Sequence, residues 1–301
     1  MFFLLLALAS SFPARAQSPG TAHIGLSGSL EWERGEINAA LSLNLKSAGI
    51  ALPAGRFRGE EILAREYSPI LRSCVLSLQV DSASRIEDYI RRGELDLSAL
   101  DRVFTEAQKT APSLSADLAF ITGRYTLSLR AISSLLARFR RTMDIPRPLI
   151  PSPAADYTGV IIIADGELPI HGKNSSALVR PCLFPKIRDT DTQEIYSRNM
   201  LEPPGPGGFS MVRYAVAENI FRPTPSGLEG ELAELAGPNP LRIFARGVFG
   251  ACPTDPIIDK EDALKIISGE NNRRLLREGR VVFILNGDVL KRPLAPGGLG
   301  E

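Results

Sequence analysis

Cysteine and histidine are scarce in this 301-residue chain, which holds three of the first, two of the second and no C-x-x-C pair. A zinc ribbon, a thioredoxin-type redox pair and a haem attachment site all need closely spaced cysteines, so each is excluded. A nucleophilic triad needs a base, and His23 and His171 are the two histidines; neither stands in G-x-S-x-G or H-E-x-x-H. Phosphate loops and dinucleotide fingerprints are also missing, since Gly205-Pro206-Gly207-Gly208 follows two prolines and lacks a lysine. Charge of one sign is absent too: 35 basic against 34 acidic side chains leave a formal charge of +1, which argues against nucleic acid as the main partner. No segment reaches the ~18 apolar residues of a transmembrane helix. The expectation is a non-enzyme with no cofactor and no catalytic residue.

What is present begins with an export signal. Phe2 to Leu8 is almost wholly apolar, and Ala14-Arg15-Ala16 has the A-x-A form of a cleavage site, so residues 1–16 are expected to be a removable signal peptide. Loss of Arg15 brings the charge to zero. No cysteine follows the apolar run to accept a lipid, so a periplasmic or secreted protein without a lipid anchor is expected. In an oxidising compartment three cysteines allow at most one internal disulfide. Cys182 and Cys252 are the candidates, separately buried thiols are the alternative, and Cys74 among Ile70, Leu71, Val75 and Leu78 reads as core.

Periodicity divides the rest. Leu30 to Leu45 alternates around Gly35-Glu36 as a strand or hairpin, and Ile62 to Leu78 repeats at helical steps interrupted by Pro69. Ser84-Arg85-Ile86-Glu87 has capping-box spacing for a helix that Gly93 closes, and Ser98 starts another. Leu114 to Arg130 returns to period two around Thr122-Gly123, a second hairpin, and Ile132 to Arg141 is helical. Pro146, Pro148, Pro151 and Pro153 then forbid helix or central strand. Beyond them, short strand-like runs separated by Gly and Pro suggest antiparallel connections, followed by helices from Asp259 and a final strand Val281 to Leu285. The expected fold is α+β: a small antiparallel sheet packed by helices, followed by a second mainly β domain with a carboxyl-terminal helical stretch and a final strand. The domains are drawn at 17–145 and 154–292, each separately compact, with an exposed linker at 146–153 and a flexible tail at 293–301.

Trp32 with Gly35-Glu36-Ile37, Val80-Asp81-Ser82 followed by Ile86-Glu87-Asp88-Tyr89, and the hairpin after Ser113 resemble the module of FlgP-like envelope lipoproteins and the amino-terminal domain of FlgT. The second half, with Tyr157-Thr158-Gly159-Val160, Pro181-Cys182-Leu183-Phe184-Pro185 and Thr254-Asp255-Pro256-Ile257-Ile258, looks like an extension carried by some relatives. The likeness implies a component of assemblies around flagellar basal bodies. Envelope or flagellar-associated proteins, or further copies of the chain, are the implied partners.

Two constellations are candidates for binding. His171 in its loop, with Asp189 and Asp191 of the Asp189-Thr190-Asp191-Thr192 run, offers donors for a cation or small ligand, against the plainer reading of a loop histidine and a polar turn. Arg138, Arg140, Arg141 and Arg147 form the densest basic patch and are candidates for partner contact, against a solvated helix end. Asp259 and its acidic neighbours, and Arg273, Arg274, Arg277 and Arg280, read as charges suited to helix ends.

Overall fold

A computed structural model describes residues 23–137, 143–150, 152–202, 210–217, 234 and 236–299. Period two governs its first sheet. Strands β1 (Ile24–Glu31) and β2 (Glu36–Asn44) form an antiparallel hairpin, with Leu26 opposite Leu41 and Leu30 opposite Ile37. Its turn uses Gly35 at φ 69°, a backbone angle that favours glycine. Ile37, Ala39, Leu41 and Leu43 are buried while their neighbours stay partly exposed, so only one face packs. Helix α1 (Arg56–Leu76) lays Leu63, Tyr67, Leu71, Cys74 and Val75 into the core at three- and four-residue steps and runs through Pro69 without a break. Tyr67 stacks on Tyr125 at 4.6 Å and donates to the Phe104 carbonyl at 2.6 Å.

Helices α2 (Ile86–Arg91), α3 (Ala99–Thr105) and α4 (Leu129–Ala137) and strands β3 (Gln108–Leu114) and β4 (Phe120–Ser128) complete this half. Two local expectations shift. The carboxylate that reaches back to the start of α2 belongs to Asp88, which accepts from the Arg85 N–H at 2.8 Å, not to Glu87. The second hairpin turns at residues 115–119, where Ser115 and Asp117 bond the backbone of Phe120 and Ala119. Gly123 lies inside β4 instead, because Tyr125 covers it: a Cβ there would lie 2.9 Å from the Tyr125 hydroxyl. The helix foreseen over residues 132–141 is described only to Ala137.

The second half is the expected mainly β unit with a carboxyl-terminal helical stretch and final strand, and three of its short strand pairs run antiparallel, but its central sheet departs from the expected antiparallel plan. Strands β5 (Val160–Ala164), β10 (Arg213–Val216), β11 (Leu241–Phe244) and β14 (Val281–Leu285) form a parallel sheet in the order β10-β14-β5-β11. Every residue of β5 and β14 is buried. Val160, Ile162, Val281 and Phe283 enter one core cluster, and Ile161, Ile163, Val282 and Ile284 another. A strand covered on both faces is continuously apolar and lacks alternation, which is the mark of parallel sheets. Helices α5 (Lys260–Ser268) and α6 (Glu270–Arg277) precede β14. A second four-stranded sheet orders β12 (Gly247–Phe249), β13 (Asp255–Ile258), β8 (Ile187–Asp189) and β9 (Glu194–Tyr196), beside the hairpin of β6 (Leu168–Pro169) and β7 (Ser176–Ala177).

After β14, the single turn α7 (Gly287–Leu290) leads into β15 (Lys291–Ala295) and β16 (Gly298–Leu299). These belong to the first sheet, a six-stranded array in the order β16-β15-β1-β2-β4-β3. Arg292 lies opposite Leu30, Leu294 is buried, and Leu299 donates its N–H to the Ser77 hydroxyl at 3.2 Å. The stretch expected as a flexible tail is therefore a strap. Its Pro and Gly content pointed to fraying, but β1 offers an unpaired edge and α1 a site beside Ser77. The halves are joined as well as adjacent. In the linker region Leu149 and Ile150 are exposed and Ile145 is buried, with anchors at Met143 N–H to Asn199 C=O (2.6 Å) and Ser152 N–H to Ser268 Oγ (3.1 Å).

Candidate functional site

The most heavily engaged polar groups lie where the two halves meet. Between α1 and α2, Asp81 accepts from the N–H groups of Ala83 and Ser84 at 2.9 Å and from the Tyr89 hydroxyl at 3.0 Å, fixing a tight loop. The carbonyls of Gln79, Val80 and Ser82 accept in turn from Leu183 (3.0 Å), Phe184 (2.8 Å) and Cys252 (2.9 Å) of the second half. Backbone hydrogen bonds of this kind need the loop shape rather than a particular side chain on the donor strand. Val80-Asp81-Ser82 and Pro181-Cys182-Leu183-Phe184 are thus the two sides of one seam.

Tyr214 is its keystone. Its hydroxyl donates to the Cys182 carbonyl at 2.7 Å and accepts from the Cys182 N–H at 3.0 Å. The ring meets Trp32 edge-on at 5.7 Å and Phe283 at 6.0 Å, linking the first hairpin to the core of the parallel sheet. Burial pushes the Tyr214 phenol and the Cys182 thiol well above their usual ranges, so both stay neutral at ordinary pH. Cys74, Cys182 and Cys252 are all free thiols, and the candidate Cys182 to Cys252 disulfide is not formed.

Asp255 sits wholly buried at the start of β13, accepting from the Lys186 N–H at 3.1 Å and the Thr254 hydroxyl at 2.9 Å. Burial raises its carboxyl above the usual range despite those bonds. Arg188 Nε stands 3.8 Å from its second oxygen, too far for a hydrogen bond, and is held instead by Glu194 at 3.1 Å and by the Phe249 ring at 4.4 Å. Beside the seam, a small depression of about 30 Å³ is lined by Trp32, Leu129, Leu183, Val212 and Tyr214, all themselves buried, with Arg130 and Arg213 among its polar residues.

The residues nominated from sequence do not converge on one site. His171 donates its backbone N–H to Val248 at 2.8 Å and lays its ring 5.6 Å from that of Phe249. Asp189 is buried, and its Oδ1 accepts from the N–H groups of Asp191 and Gln193, each at 2.9 Å. That closes the turn between β8 and β9, where Thr192 takes φ 64°; Asp191 pairs with Lys260. Among the described residues no group of three or more His, Cys, Asp or Glu side chains is placed to hold a metal. We expect Asp189→Ala to cost about 1–3 kcal/mol in a denaturant melt through the two N–H groups left without a partner. Saturating calcium should leave the wild-type melting temperature unmoved, and a calcium-induced rise that Asp189→Ala abolishes would contradict the turn assignment.

Arg138, Arg140 and Arg141 lie outside the described residues, and Arg147 is exposed, 3.9 Å from Glu270. Two helix-end assignments change. Asp259 accepts from Arg246 at 2.8 Å rather than capping α5 through its side chain. Arg273 is buried rather than solvated, because the Ile267 carbonyl near the end of α5 and the Glu270 carboxylate both accept from it. Hydrogen bonds from Arg273 and Arg277 hold the Glu270 carboxyl down at about 2. The roles of Trp32, Tyr214 and Asp255 carried no sequence signal beyond the chain's single tryptophan and a Thr-Asp-Pro step.

Comparison with known families matches two stretches of the chain. Residues 23–135 match the model of the N-terminal domain of Treponema pallidum Tp0624, and residues 159–287 match that of its second domain. Both halves are similar to Tp0624. The linker falls between the two Tp0624-like stretches, and the strap, 291–299, lies beyond both. The matched descriptions refer to no flagellar protein. A comparison with curated proteins gave no match.

Proposed function

We propose that this chain is a non-catalytic exported component of the cell envelope that acts through protein–protein contact, in a periplasmic or flagellar-associated assembly. The observation that carries the reading is the seam itself: the carbonyls of Gln79, Val80 and Ser82 accept from Leu183, Phe184 and Cys252, and the Trp32 ring packs edge-on against Tyr214, so these groups join the two halves. A body braced in this way presents its surfaces at fixed separations, which suits a structural adaptor. The Ala14-Arg15-Ala16 signal supports export, and the likeness of Trp32, Val80-Asp81-Ser82 and the second hairpin to FlgP and FlgT modules supports the flagellar setting. Among the described residues no helix is long and apolar enough to cross a membrane.

The test is crosslinking in living cells followed by affinity purification from gently solubilised envelopes, beside a deletion strain scored for motility. Reproducible envelope partners are expected, with altered basal bodies if the setting is flagellar. Neither a protein neighbour nor self-association would sink the adaptor reading, while intact swimming with partners recovered would remove only its flagellar part.

A further inference from the structure

A carboxyl group with no exposed surface sits at the seam. Asp255 is 0% exposed, and its hydrogen bonds from the Lys186 N–H at 3.1 Å and the Thr254 hydroxyl at 2.9 Å both fall on one oxygen, Oδ1. Among the described residues no donor is placed to bond the other oxygen, Oδ2. The Arg188 guanidinium faces it from β8, but its Nε stops at 3.8 Å and has no acceptor of its own. A buried anion with one oxygen left unpaired costs far more than a buried neutral acid.

The neighbouring charges do not cancel that cost. Lys186 offers Asp255 its backbone N–H while its ammonium pairs with Glu194 of β9, and the Arg188 guanidinium is bonded to the same Glu194 at 3.1 Å. Cys182, Cys252 and Tyr214 face Asp255 as neutral groups, Asp81 adds a second negative charge near Cys182, and Phe249, opposite Asp255 in register on β12, is uncharged. Burial outweighs Lys186, Thr254, Ser82 and Arg188, all of which favour the anion, and lifts the carboxyl above its ordinary range. Ser82 belongs to the docking loop of the first half. Its carbonyl accepts from Cys252, three residues before Asp255, and a Cβ on Gly250 would lie 2.5 Å from the Ser82 Cβ, so parting the seam at this loop brings water to Asp255. We propose that Asp255 is a proton-operated latch: the seam closes around the neutral carboxylic acid, and ionisation of Asp255 loosens the contact between the loop 79–82 and the second half. A carboxyl raised in the closed form contributes stability that is complete at low pH and is lost as the pH rises through the raised value. The seam is therefore tighter in mild acid than at neutral pH, opposite in sign to the paired Glu270 carboxylate. The latch lies within the chain and does not depend on the protein-binding reading.

Hydrogen exchange of the full chain from about pH 5 to about pH 8 tests this, read at the amides of Leu183, Phe184 and Cys252, whose bonds cross the seam. After correction for intrinsic exchange, their protection should fall by up to about tenfold per pH unit as Asp255 titrates, the slope of one linked proton. Asp255→Asn keeps the shape of the neutral acid and cannot ionise. It should hold the same amides at their acid-form protection across the whole range. A flat wild-type profile, or the same slope in Asp255→Asn, overturns the proposal. A second measurement needs no variant that must fold: in the wild type labelled with carboxyl carbon-13 aspartate, one resonance should titrate above the ordinary aspartate range and move together with the protection of the three amides. Aspartate resonances that all titrate within the ordinary range overturn it as well.

Discussion

Ending the chain after Leu290 should lower the melting temperature by roughly 10 °C and make the protein prone to aggregate. The deletion removes β15 and β16, and with them the buried Leu294 and three register pairs on β1. Burial of one leucine contributes about 1.5–3 kcal/mol, and each backbone hydrogen bond about 0.5–1.5 kcal/mol, so the loss amounts to about 3–6 kcal/mol. It also uncovers the edge of β1 at residues 29–31, a template for pairing with other chains. Differential scanning calorimetry with light scattering measures both effects. A truncated chain that melts like the full one would show that the strap contributes nothing to the first sheet.

Tyr214→Ala should be at least as damaging, by about 3–5 kcal/mol, because it opens a cavity against Trp32 and Phe283. It also leaves the N–H and C=O of Cys182 without their shared partner. Tyr214→Phe keeps the ring and loses the hydroxyl alone, so a smaller cost of about 1–3 kcal/mol is expected. The pair separates packing from hydrogen bonding. Tyr214→Ala should also make the melt less cooperative, since the first hairpin loses its link to the parallel sheet. Equal melting of the alanine variant and the wild type in urea would remove Tyr214 from the seam.

The first half was legible in the sequence because its strands expose one face. Alternation in Glu36–Asn44 and helical steps from Leu63 to Val75 leave opposite patterns, and both were readable. In the second half β5 and β14 are buried on both sides, so period two vanishes; their continuous apolar runs were the sign of parallel pairing, masked by the short Gly- and Pro-separated runs around them that read as antiparallel. The strap was hidden by Pro293 and the nearby glycines, whose composition points to fraying unless an edge is available far away in sequence. The seam was less legible still. Backbone carbonyls of Gln79, Val80 and Ser82 perform the docking, and carbonyls are the same in every residue. Asp189 could be read as a turn from its chemistry, whereas the burial of Arg273 depended on which carbonyl near the end of α5 it would meet.

The central claim is that seam and strap make the two Tp0624-like halves one body. Brief trypsin treatment under native conditions tests it most directly, with the bonds after Arg140 and Arg141, just ahead of the linker, as the intended sites, since the bond after Arg147 precedes Pro148 and resists trypsin. The account predicts two bands on a denaturing gel that run as a single species of unchanged size by native gel filtration, held together by β15 on β1 and by the bonds of Leu183, Phe184 and Cys252 to the carbonyls of Gln79, Val80 and Ser82. Two peaks, each carrying one half of the chain, would contradict it.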